Sequence, residues 1–419
     1  MKTRILILGG GFGGAYCAQQ LEKRLRPQDA DITLIDRNNY FNFYPLLVEA
    51  GTGSLEPRHT VVSIRQFLKR TTFIAGEVVD GDVQDRRIDY RVTGTDNIRS
   101  LDYDHLVIAL GSVTSLPDVP GLKEHAFEMK TLTHAVSLRD RAIQLLERAN
   151  ATPDPEERKA LLRFIVVGAN FTGVEVAGEY EVFLKEASRM YENVRAKDCS
   201  VTLVEIMERI LLALDEDLSE YARDQLERRG IDIRLEETVS EIGKDYVKLK
   251  SGDEIRTHTV VWCAGIAPNP VIEKLQLPTG KRGYITCERD MRVEGLENVW
   301  GIGDCSVNPD PDGNPYPPTA QHATKQAEFL AKNLRNVIQN KEPEPYVFNT
   351  RGELSPLGCR TAVAKVFGIK LSGFPAWFLW RTVYLSKMPG LGKKLRVALD
   401  WTMDLLFRKD YVQLGIRDG

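Results

Sequence analysis

The sequence predicts an α/β fold in which two similar units, each with a parallel sheet and an inserted antiparallel β meander, precede a helical C-terminal segment. Three observations predict this fold. A strand, a glycine-rich turn, a helix and a second strand open the chain, and the same order returns from residue 164 onwards. The C-terminal segment combines aromatic and basic side chains with apolar ones at roughly helical spacing. The length of 419 residues is too great for one ordinary core and favours two or three domains.

The first unit is defined by residues 5–36. Gly9, Gly11 and Gly14 follow an apolar strand with G-x-G-x-x-G spacing. The first glycine permits the tight turn, the second lets a pyrophosphate approach, and the third lets helix and strand pack closely. The next strand ends in Asp36, whose carboxylate would accept hydrogen bonds from a ribose. The stretch therefore predicts dinucleotide binding, and a glycine-rich turn without a ligand is the alternative.

The second unit repeats this pattern with one departure. Gly168 and Gly173 occupy the first and third glycine positions, whereas Asn170 stands where the second glycine is expected. Asparagine tolerates the left-handed conformations that glycine usually supplies, but its side chain narrows the approach of a phosphate. The following strand ends in Glu205, and an acidic residue there repels a 2′-phosphate, which favours NADH over NADPH.

A later buried strand in each unit ends in a glycine. Gly111 and Gly265 follow apolar strands, and Gly111 would let the backbone approach a cofactor. Beyond them, the strand in NVWGIGDCS leads to Asp304, whose carboxylate suits the ribityl or phosphate-side hydroxyls of a flavin. An Asx-turn or a helix cap is the alternative for Asp304. The repeat of strand, turn and meander predicts two Rossmann-like dinucleotide-binding domains.

Charge and cysteine usage argue against several other classes. The formal net charge of −3 gives no field that favours nucleic acid, and we find no nucleic-acid motif. The six cysteines are scattered without a CxxC or metal-ligand spacing, so we expect neither a metal site nor a redox-active disulfide. The charged start at Lys2 to Arg4 runs directly into the first strand rather than into a leader, which favours the cytoplasmic side.

Taken together, the motifs resemble the type II NADH dehydrogenases, the single-subunit FAD-containing NADH:quinone oxidoreductases. The resemblance covers nearly the whole chain and is carried by GGGFGG with LID, VVGANFTGVEVAGE with VTLVE, WCAG, VWGIGDC, TAQHATKQA and the C-terminal segment. The TGVE and TAQ elements with this tail are much more specific than the glycine motifs. The resemblance implies an enzyme without proton pumping that passes a hydride from NADH to FAD and two electrons to a membrane quinone.

Matching positions imply roles for individual residues. Glu175 matches the family acid near the flavin and the nicotinamide, with an early helix acid that complements the dipole as the alternative. Gln321 matches the first glutamine of an AQxAxQ element between the two sides of the flavin, whereas Lys325 replaces the second glutamine. Lys370 resembles a lysine near the quinone pocket, with a solvated turn lysine as the alternative. The implied FAD set is Gly9, Gly11, Gly14, Asp36 and Asp304, and the implied NADH set is Gly168, Gly173 and Glu205.

The order of motifs predicts four segments. Residues 1–120 and 283–345 would form the FAD-binding domain, residues 121–282 the NADH-binding domain, and residues 346–419 a membrane-association region. The aromatic and glycine-containing stretch after Asp36 is expected to form a loop and a short helix over the cofactor.

The C-terminal segment predicts a membrane surface as a partner. It holds Trp377, Trp380 and Trp401, and between residues 381 and 409 basic residues outnumber acidic ones. A transmembrane helix needs about 20 largely apolar residues, and charges interrupt this segment too often. An amphipathic helix pair lying in the interface, with a basic face towards anionic lipid, fits instead. We therefore expect a peripheral protein on the cytoplasmic face of the cell membrane; a dimerisation or core-packing helix is the alternative, and a homodimer is possible.

Two rival functions remain open from the sequence. A sulfide:quinone oxidoreductase would share the fold and the tail, but it would need reactive cysteines facing the flavin, and candidates such as Cys359 lack suitable partners in sequence. A flavin-binding redox sensor or interaction protein, with an NADH site that has decayed at Asn170, is the second rival.

Overall fold

A computed structural model describes residues 2–415 of the chain. Helices form where apolar residues recur at helical spacing, as in the first helix, whose Ala15, Ala18 and Leu21 are buried. Within the described residues the α-helices are α1 (Phe12–Arg24), α2 (Leu47–Gly51), α3 (Ile64–Phe67), α4 (Leu122–His125), α5 (Leu132–Ala151), α6 (Pro155–Leu161), α7 (Phe171–Ala187), α8 (Glu216–Arg228), α9 (Ala320–Ile338), α10 (Gly373–Lys387) and α11 (Leu391–Leu406).

The strands are short and mostly apolar, and those at the sheet centres are buried on both faces, as parallel sheets covered by helices require. In the described part of the chain they are β1 (Thr3–Leu8), β2 (Ala30–Asp36), β3 (Tyr40–Asn42), β4 (Val61–Ser63), β5 (Thr72–Asp82), β6 (Arg87–Val92), β7 (Ile98–Asp102), β8 (His105–Ile108), β9 (Ser112–Thr114), β10 (Ala126–Glu128), β11 (Arg163–Val167), β12 (Ser200–Val204), β13 (Asp232–Arg234), β14 (Val239–Ile242), β15 (Tyr246–Leu249), β16 (Glu254–Arg256), β17 (Thr259–Trp262), β18 (Ile266–Pro268), β19 (Ile285–Thr286), β20 (Val299–Gly301), β21 (Ser306–Val307), β22 (Gly352–Gly358), β23 (Thr361–Val366) and β24 (Ile369–Ser372).

The described chain divides into two compact units. Unit 1 comprises residues 2–42, 61–113 and 266–350, and unit 2 comprises residues 43–60, 114–265 and 351–415. The division differs from the predicted segments at several boundaries. Residues 43–60 and 114–120 belong to unit 2 rather than with the first glycine motif, and residues 266–282 belong to unit 1 rather than with the second. Of the predicted membrane-association region, residues 346–350 belong to unit 1 and residues 351–415 to unit 2.

Unit 1 is built on a seven-stranded sheet in the order β20-β8-β1-β2-β5-β6-β7. The strands from β20 to β5 are parallel, and β5, β6 and β7 then pair antiparallel as the inserted meander. Strand β1 lies between β2 and β8, with Ile5 opposite Ile32 on one side and His105 on the other. The buried core of this unit includes Leu6 and Leu8 of β1 and Ile108 of β8. The carboxyl ends of the parallel strands therefore bring Gly9 and Asp36 to one edge.

Unit 2 repeats this plan. Its five-stranded sheet has the order β10-β17-β11-β12-β13 and is parallel throughout, and a separate antiparallel sheet is formed by β14, β15 and β16. The largest buried core of the unit lies around α5 and α7 and includes Phe164, Tyr180 and Phe183. The predicted α/β fold with two Rossmann-like units and inserted meanders is confirmed.

The C-terminal part of unit 2 contains an element that we did not predict. Strands β22, β23 and β24 form an antiparallel sheet ahead of the two predicted helices, α10 and α11. One side of the helix pair packs inward through Trp377, Trp380, Val397 and Trp401. Every helix within residues 2–415 is too short or too polar to cross a bilayer. The last four residues of the predicted membrane-association region, 416–419, lie outside the described residues.

Candidate functional site

The glycine turn of unit 1 leaves open space where a phosphate would lie. Gly9 has φ +95°, and a Cβ added there would lie 2.3 Å from the Ala109 carbonyl oxygen. A Cβ at Gly14 would lie 1.8 Å from the Gly9 carbonyl oxygen, whereas a Cβ at Gly11 would meet no atom within 4 Å. Helix α1 begins after Gly11 without a side-chain cap and without an acidic residue in its first turn. A helix N-terminus of this kind suits the pyrophosphate of a dinucleotide such as FAD.

Asp36 lies at the carboxyl end of β2, beside this turn. Its carboxylate accepts hydrogen bonds from the Gly10 N–H at 2.6 Å and from the Asn38 N–H at 2.7 Å. Burial raises the pKa of Asp36, and the two backbone donors oppose this shift. A cavity of about 430 Å³ adjoins the next residue, Arg37. Its lining residues, which our sequence analysis did not single out, are Arg37, Glu77, Arg91, Val92, Thr93, Gly94, Thr95 and Asp96.

Asp304 lies in a tight turn directly after β20, as the sequence predicted. The Ser112 hydroxyl donates to its carboxylate at 3.0 Å, and Gly303 before it has φ +75°. The turn is held by Gln326 of α9, which is buried and accepts the Gly303 N–H at 2.8 Å. Gly111 has φ +66°, and a Cβ there would meet no atom within 4 Å. The carboxylate of Asp304 is thus fixed by residues of the same unit.

The glycine turn of unit 2 has the same backbone but a different cap. Gly168 has φ +96°, and a Cβ at Gly173 would lie 1.7 Å from the Gly168 carbonyl oxygen. Asn170 is the N-cap of α7, where its Oδ1 accepts the Gly173 N–H at 3.1 Å and its Nδ2 donates to the Cys263 carbonyl oxygen at 2.7 Å. Both polar atoms of the asparagine amide therefore bond the protein's own backbone, and the turn keeps the shape of the glycine motif.

Glu205 lies at the carboxyl end of β12. Its carboxylate accepts the Ala169 N–H and, at 3.0 Å, the Met207 N–H. This is the arrangement that Asp36 has with Gly10 and Asn38 in unit 1. Gly265 has φ +77° and lies beside Ser115, within the same unit. The residues of this turn fit an NAD-type dinucleotide as the first turn fits FAD.

Glu175 projects from the first turns of α7 into the interior of unit 2. It is 9% exposed, and its Oε1 has no hydrogen-bond partner within the described part of the chain. Burial, followed by the neighbouring carboxyl groups of Glu49 and Glu179, raises the pKa of Glu175 well above its ordinary value. A surface acid that only complements a helix dipole would be solvated, whereas this carboxyl is buried.

The remaining predicted residues lie in different settings. Gln321 is half-buried in the first turn of α9, a helix capped by the Thr319 side chain. Lys325, on the same helix, pairs with Glu328 at 2.8 Å. Lys370 is 40% exposed on β24, where Asp215 and Asp217 each lie 2.8 Å from its ammonium group. Its contacts are those of a surface lysine in an ion-pair cluster.

The cysteines bear on the sulfide-dependent rival. Cys17, Cys199, Cys263, Cys287 and Cys305 are buried, and Cys359 is exposed. Burial raises the pKa of Cys17, Cys263 and Cys305 to about 12, which disfavours the reactive thiolate. Within residues 2–415 all six are free thiols, and we find no cluster of three potential metal ligands.

Comparison with known proteins places this geometry in a family. Residues 3–327 match the family model of pyridine nucleotide-disulphide oxidoreductases, and residues 351–410 match the NDH2 C-terminal domain. A probable NADH dehydrogenase of Dictyostelium discoideum is 32% identical over 98% of this chain and 91% of its own length. A type II NADH:quinone oxidoreductase of Staphylococcus aureus is 29% identical over 93% of this chain and 97% of its own length.

A solved structure supports the fold. The structure of NDH2 from Plasmodium falciparum in complex with NADH has a TM-score of 0.91 to this chain at 22% identity. The match covers 98% of this chain and 100% of that one. The resemblance to type II NADH dehydrogenases that the motifs predicted is confirmed. The chain belongs to the pyridine nucleotide-disulphide oxidoreductase family, and it carries the NDH2 C-terminal domain.

Proposed function

We propose that this chain is an NADH:quinone oxidoreductase that uses FAD. One observation carries the proposal: a single chain contains two glycine turns, each beside an acidic strand end, followed by an NDH2 C-terminal domain. Two such turns accommodate one resident and one exchanging dinucleotide. The names of the relatives, NADH dehydrogenase and type II NADH:quinone oxidoreductase, support NADH as donor and a quinone as acceptor.

In this proposal each unit holds one nucleotide. The N-terminus of α1 and the Asp36 carboxylate would hold the pyrophosphate and a ribose of FAD, and Asp304 would hold further hydroxyls of the cofactor. The turn at Gly168 and Gly173 receives the pyrophosphate of NADH, and Glu205 accepts hydrogen bonds from its ribose. Gly111 and Gly265 keep side chains out of the two nucleotide sites. When bound, FAD would supply the redox chemistry that couples oxidation of NADH by hydride transfer to two-electron reduction of the quinone.

Three further residues were assigned by the family motifs to the surroundings of the flavin and the quinone. The buried carboxyl of Glu175 orients the donor or takes part in proton transfer to the quinone. The family motif assigns Gln321, at the start of α9, to the region between the nicotinamide and quinone sides of the flavin. Lys370 is assigned to the quinone side through the family motif alone, and its pairing with Asp215 and Asp217 favours a structural role.

The test is a comparison of electron donors. Purified protein with bound FAD should reduce a short-chain quinone with NADH and should not do so with hydrosulfide. NADH-independent quinone reduction by hydrosulfide would contradict the proposal and favour the sulfide-dependent rival. Tight FAD without turnover of either donor would favour the redox-sensor rival.

We propose further that the protein is peripheral to a membrane, on its cytoplasmic face. Helix α11 supports this because Leu391, Leu395, Leu399 and Met403, each four residues apart, form one exposed apolar stripe. They are between 53% and 73% exposed, whereas Val397 and Trp401 on another side of the helix are buried. Exposed Phe374 and Phe378 of α10 and the basic residues of both helices suit the interface of an anionic bilayer.

We expect replacement of Leu395 and Leu399 by glutamate to lower binding to anionic vesicles by at least tenfold, because each change removes apolar contact and adds repulsion. Co-sedimentation with phosphatidylglycerol vesicles measures this effect. Leu212→Glu changes an exposed leucine of the same unit outside the two helices and serves as the matched control.

FAD content should be unchanged in both variants. Unaltered vesicle binding by the double variant would contradict the interface proposal. A homodimer, which we also propose, is tested by sedimentation velocity on the same preparations.

A further inference from the structure

The proposed reaction consumes one proton from solvent. In the sum, NADH + H⁺ + quinone gives NAD⁺ + quinol, so the hydride supplies two electrons and one hydrogen, and water supplies the other proton. That proton must be passed on to the quinone by groups of the protein or by water. A group of buried and partly buried carboxyl groups with two cationic side chains, where α2, α7, α10 and α11 meet in unit 2, is suited to this task.

Glu49 is the innermost member of this group that the motifs did not identify. It lies on the short helix α2, and its residue is 5% exposed. The Trp401 indole N–H donates to its Oε2 at 2.9 Å, and one guanidinium nitrogen of Arg381 lies 3.6 Å from its Oε1. Burial raises the pKa of Glu49 to about 7, with Arg381 and Trp401 opposing the shift and Glu179 and Asp404 adding to it.

Arg381 joins Glu49 to a second carboxyl group. The guanidinium lies between the rings of Trp377 and Trp401, 4.2 Å and 4.7 Å from their centroids. The same nitrogen that faces Glu49 lies 3.9 Å from Asp404 Oδ2. Two carboxyl groups on different helices therefore share one arginine nitrogen, and the arginine itself cannot release a proton.

The outer end of the group approaches solvent. The Asp404 side chain is 15% exposed, and its Oδ1 lies 3.8 Å from the Lys409 ammonium group, which is 12% exposed. Burial raises the pKa of Asp404, and Lys409 and Arg381 oppose this shift. Asp404 is thus more accessible than Glu49.

The inner end is Glu175. The Tyr180 hydroxyl of α7 donates to the Gly51 carbonyl oxygen of α2 at 3.3 Å, which ties the two helices together. Glu175 Oε1 is buried and has no hydrogen-bond partner within the described residues, and among the neighbouring charges the Glu49 carboxyl raises the pKa of Glu175 most. The charged groups that face Glu49 from the surrounding helices are Glu175 and Glu179 of α7, Arg381 of α10 and Asp404 of α11, with Arg139 of α5 beyond Gly53 and Lys409 beyond Asp404.

We infer that Glu49 is a proton-relay residue: it holds a solvent-derived proton that it passes inward to Glu175, and water molecules, rather than Arg381, carry the next proton from Asp404 to Glu49. No bond other than O–H is made or broken in the relay, and each transfer leaves the carboxylate ready for the next proton. Arg381 and Trp401 position the Glu49 carboxyl. The inference rests on the proposed quinone reduction.

The test is stopped-flow measurement of both half-reactions in Glu49→Gln across pH. In the wild type the quinone step should slow as the pH rises through about 7, because Glu49 then loses its proton. At pH 6 the variant should carry out the quinone step on the order of tenfold more slowly than the wild type. The rate of this step in the variant should not fall further as the pH rises through about 7. The NADH step should be unchanged.

Three further variants separate relay from structure. Glu49→Asp should recover part of the rate of the quinone step and should show the fall of this rate with rising pH again. Trp401→Phe removes a hydrogen-bond donor to the Glu49 carboxylate, which should raise the pKa of Glu49 and move the fall in the quinone-step rate to higher pH. Glu181→Gln alters another buried glutamate of α7, paired with Lys185 at 2.6 Å, and should leave both half-reactions as they are.

A readout independent of turnover is the melting temperature. Because the pKa of Glu49 is higher in the folded protein, its contribution to stability is complete below about pH 4.5 and is lost as the pH rises through about 7. The Tm of the wild type should therefore fall relative to that of Glu49→Gln over this range and stay level above it.

Each outcome has a distinct meaning. The relay would be contradicted if the quinone step of Glu49→Gln still slowed as the pH rises through about 7. Equal slowing of both half-reactions in this variant would also contradict it. The same loss in Glu181→Gln would attribute the effect to packing. Wild-type protein that accepts a hydride from NADH but never reduces a quinone would contradict the proposed function itself, and the relay with it.

Discussion

The two glycine turns of this chain have the same backbone and differ at the start of the helix. In unit 1 the residue at the second glycine position is Gly11, which leaves the N-terminus of α1 without a side-chain cap. In unit 2 it is Asn170, whose side chain accepts the Gly173 N–H and caps α7. An uncapped helix N-terminus has free N–H groups that a ligand can satisfy in place of water, whereas a capped one is already partly satisfied.

This difference suits the two proposed cofactors. A resident FAD benefits from every donor of the turn, and an NADH that must leave after each turnover benefits from fewer. The cap also holds α7 in place when no nucleotide is present, since Asn170 Nδ2 bonds the Cys263 carbonyl oxygen. The asparagine is therefore compatible with a working NADH site. Substitutions in the two glycine turns test this difference between them.

The largest effects should come from the third glycine of each turn. An alanine at Gly14 or Gly173 places a Cβ within 2 Å of a backbone oxygen, so the turn must open. We expect Gly14→Ala to be purified without FAD, and Gly173→Ala to retain FAD but to bind NADH at least tenfold more weakly. Absorbance spectra and NADH titrations measure the two effects, and circular dichroism verifies folding. Loss of FAD in Gly173→Ala would contradict the proposal that unit 1 binds FAD and unit 2 binds NADH.

An intermediate effect is expected at Glu205. Glu205→Gln keeps an acceptor for the backbone donors but removes the charge that repels a 2′-phosphate. The preference for NADH over NADPH, measured as the ratio of kcat/KM values, should fall on the order of tenfold, which is about 1.4 kcal/mol. Glu208→Gln removes an equal charge nearby and should change the ratio much less. An unaltered preference in Glu205→Gln would mean that another residue reads the ribose.

The smallest effect is expected at Asn170. Asn170→Gly recreates the glycine motif of unit 1 and exposes the Gly173 N–H to the nucleotide, so the Kd for NAD⁺ should fall severalfold. Loss of the cap and of the bond to Cys263 should cost about 1 kcal/mol of stability. Calorimetric titration and thermal unfolding measure the two changes. Weaker binding would show that the asparagine amide itself contacts the nucleotide.

The parts of the fold with strong local patterns could be predicted from sequence. Both glycine turns, the strand ends at Asp36 and Glu205 and the turn at Asp304 lie as expected, because each depends on residues close in the chain. The sheet formed by β22, β23 and β24 was missed, since the aromatic and basic residues beyond it dominated the interpretation of the C-terminal segment. Pro356 within β22 also weakens a strand pattern.

Glu49 could not be predicted for a different reason. Its significance depends on burial against Trp401 and Arg381, which are more than 300 residues away in the chain. In sequence it is an ordinary acid in an aromatic stretch that we expected to cover the cofactor. The signal that could have drawn notice is a charged residue inside the apolar run PLLVEAG.

The most direct test of the account is anaerobic addition of NADH to the purified yellow protein, followed by a short-chain quinone, with the flavin absorbance recorded throughout. We predict bleaching of the flavin absorbance on addition of NADH and full recovery on addition of the quinone. Bound FAD that does not bleach would contradict the proposal that this chain oxidises NADH through FAD.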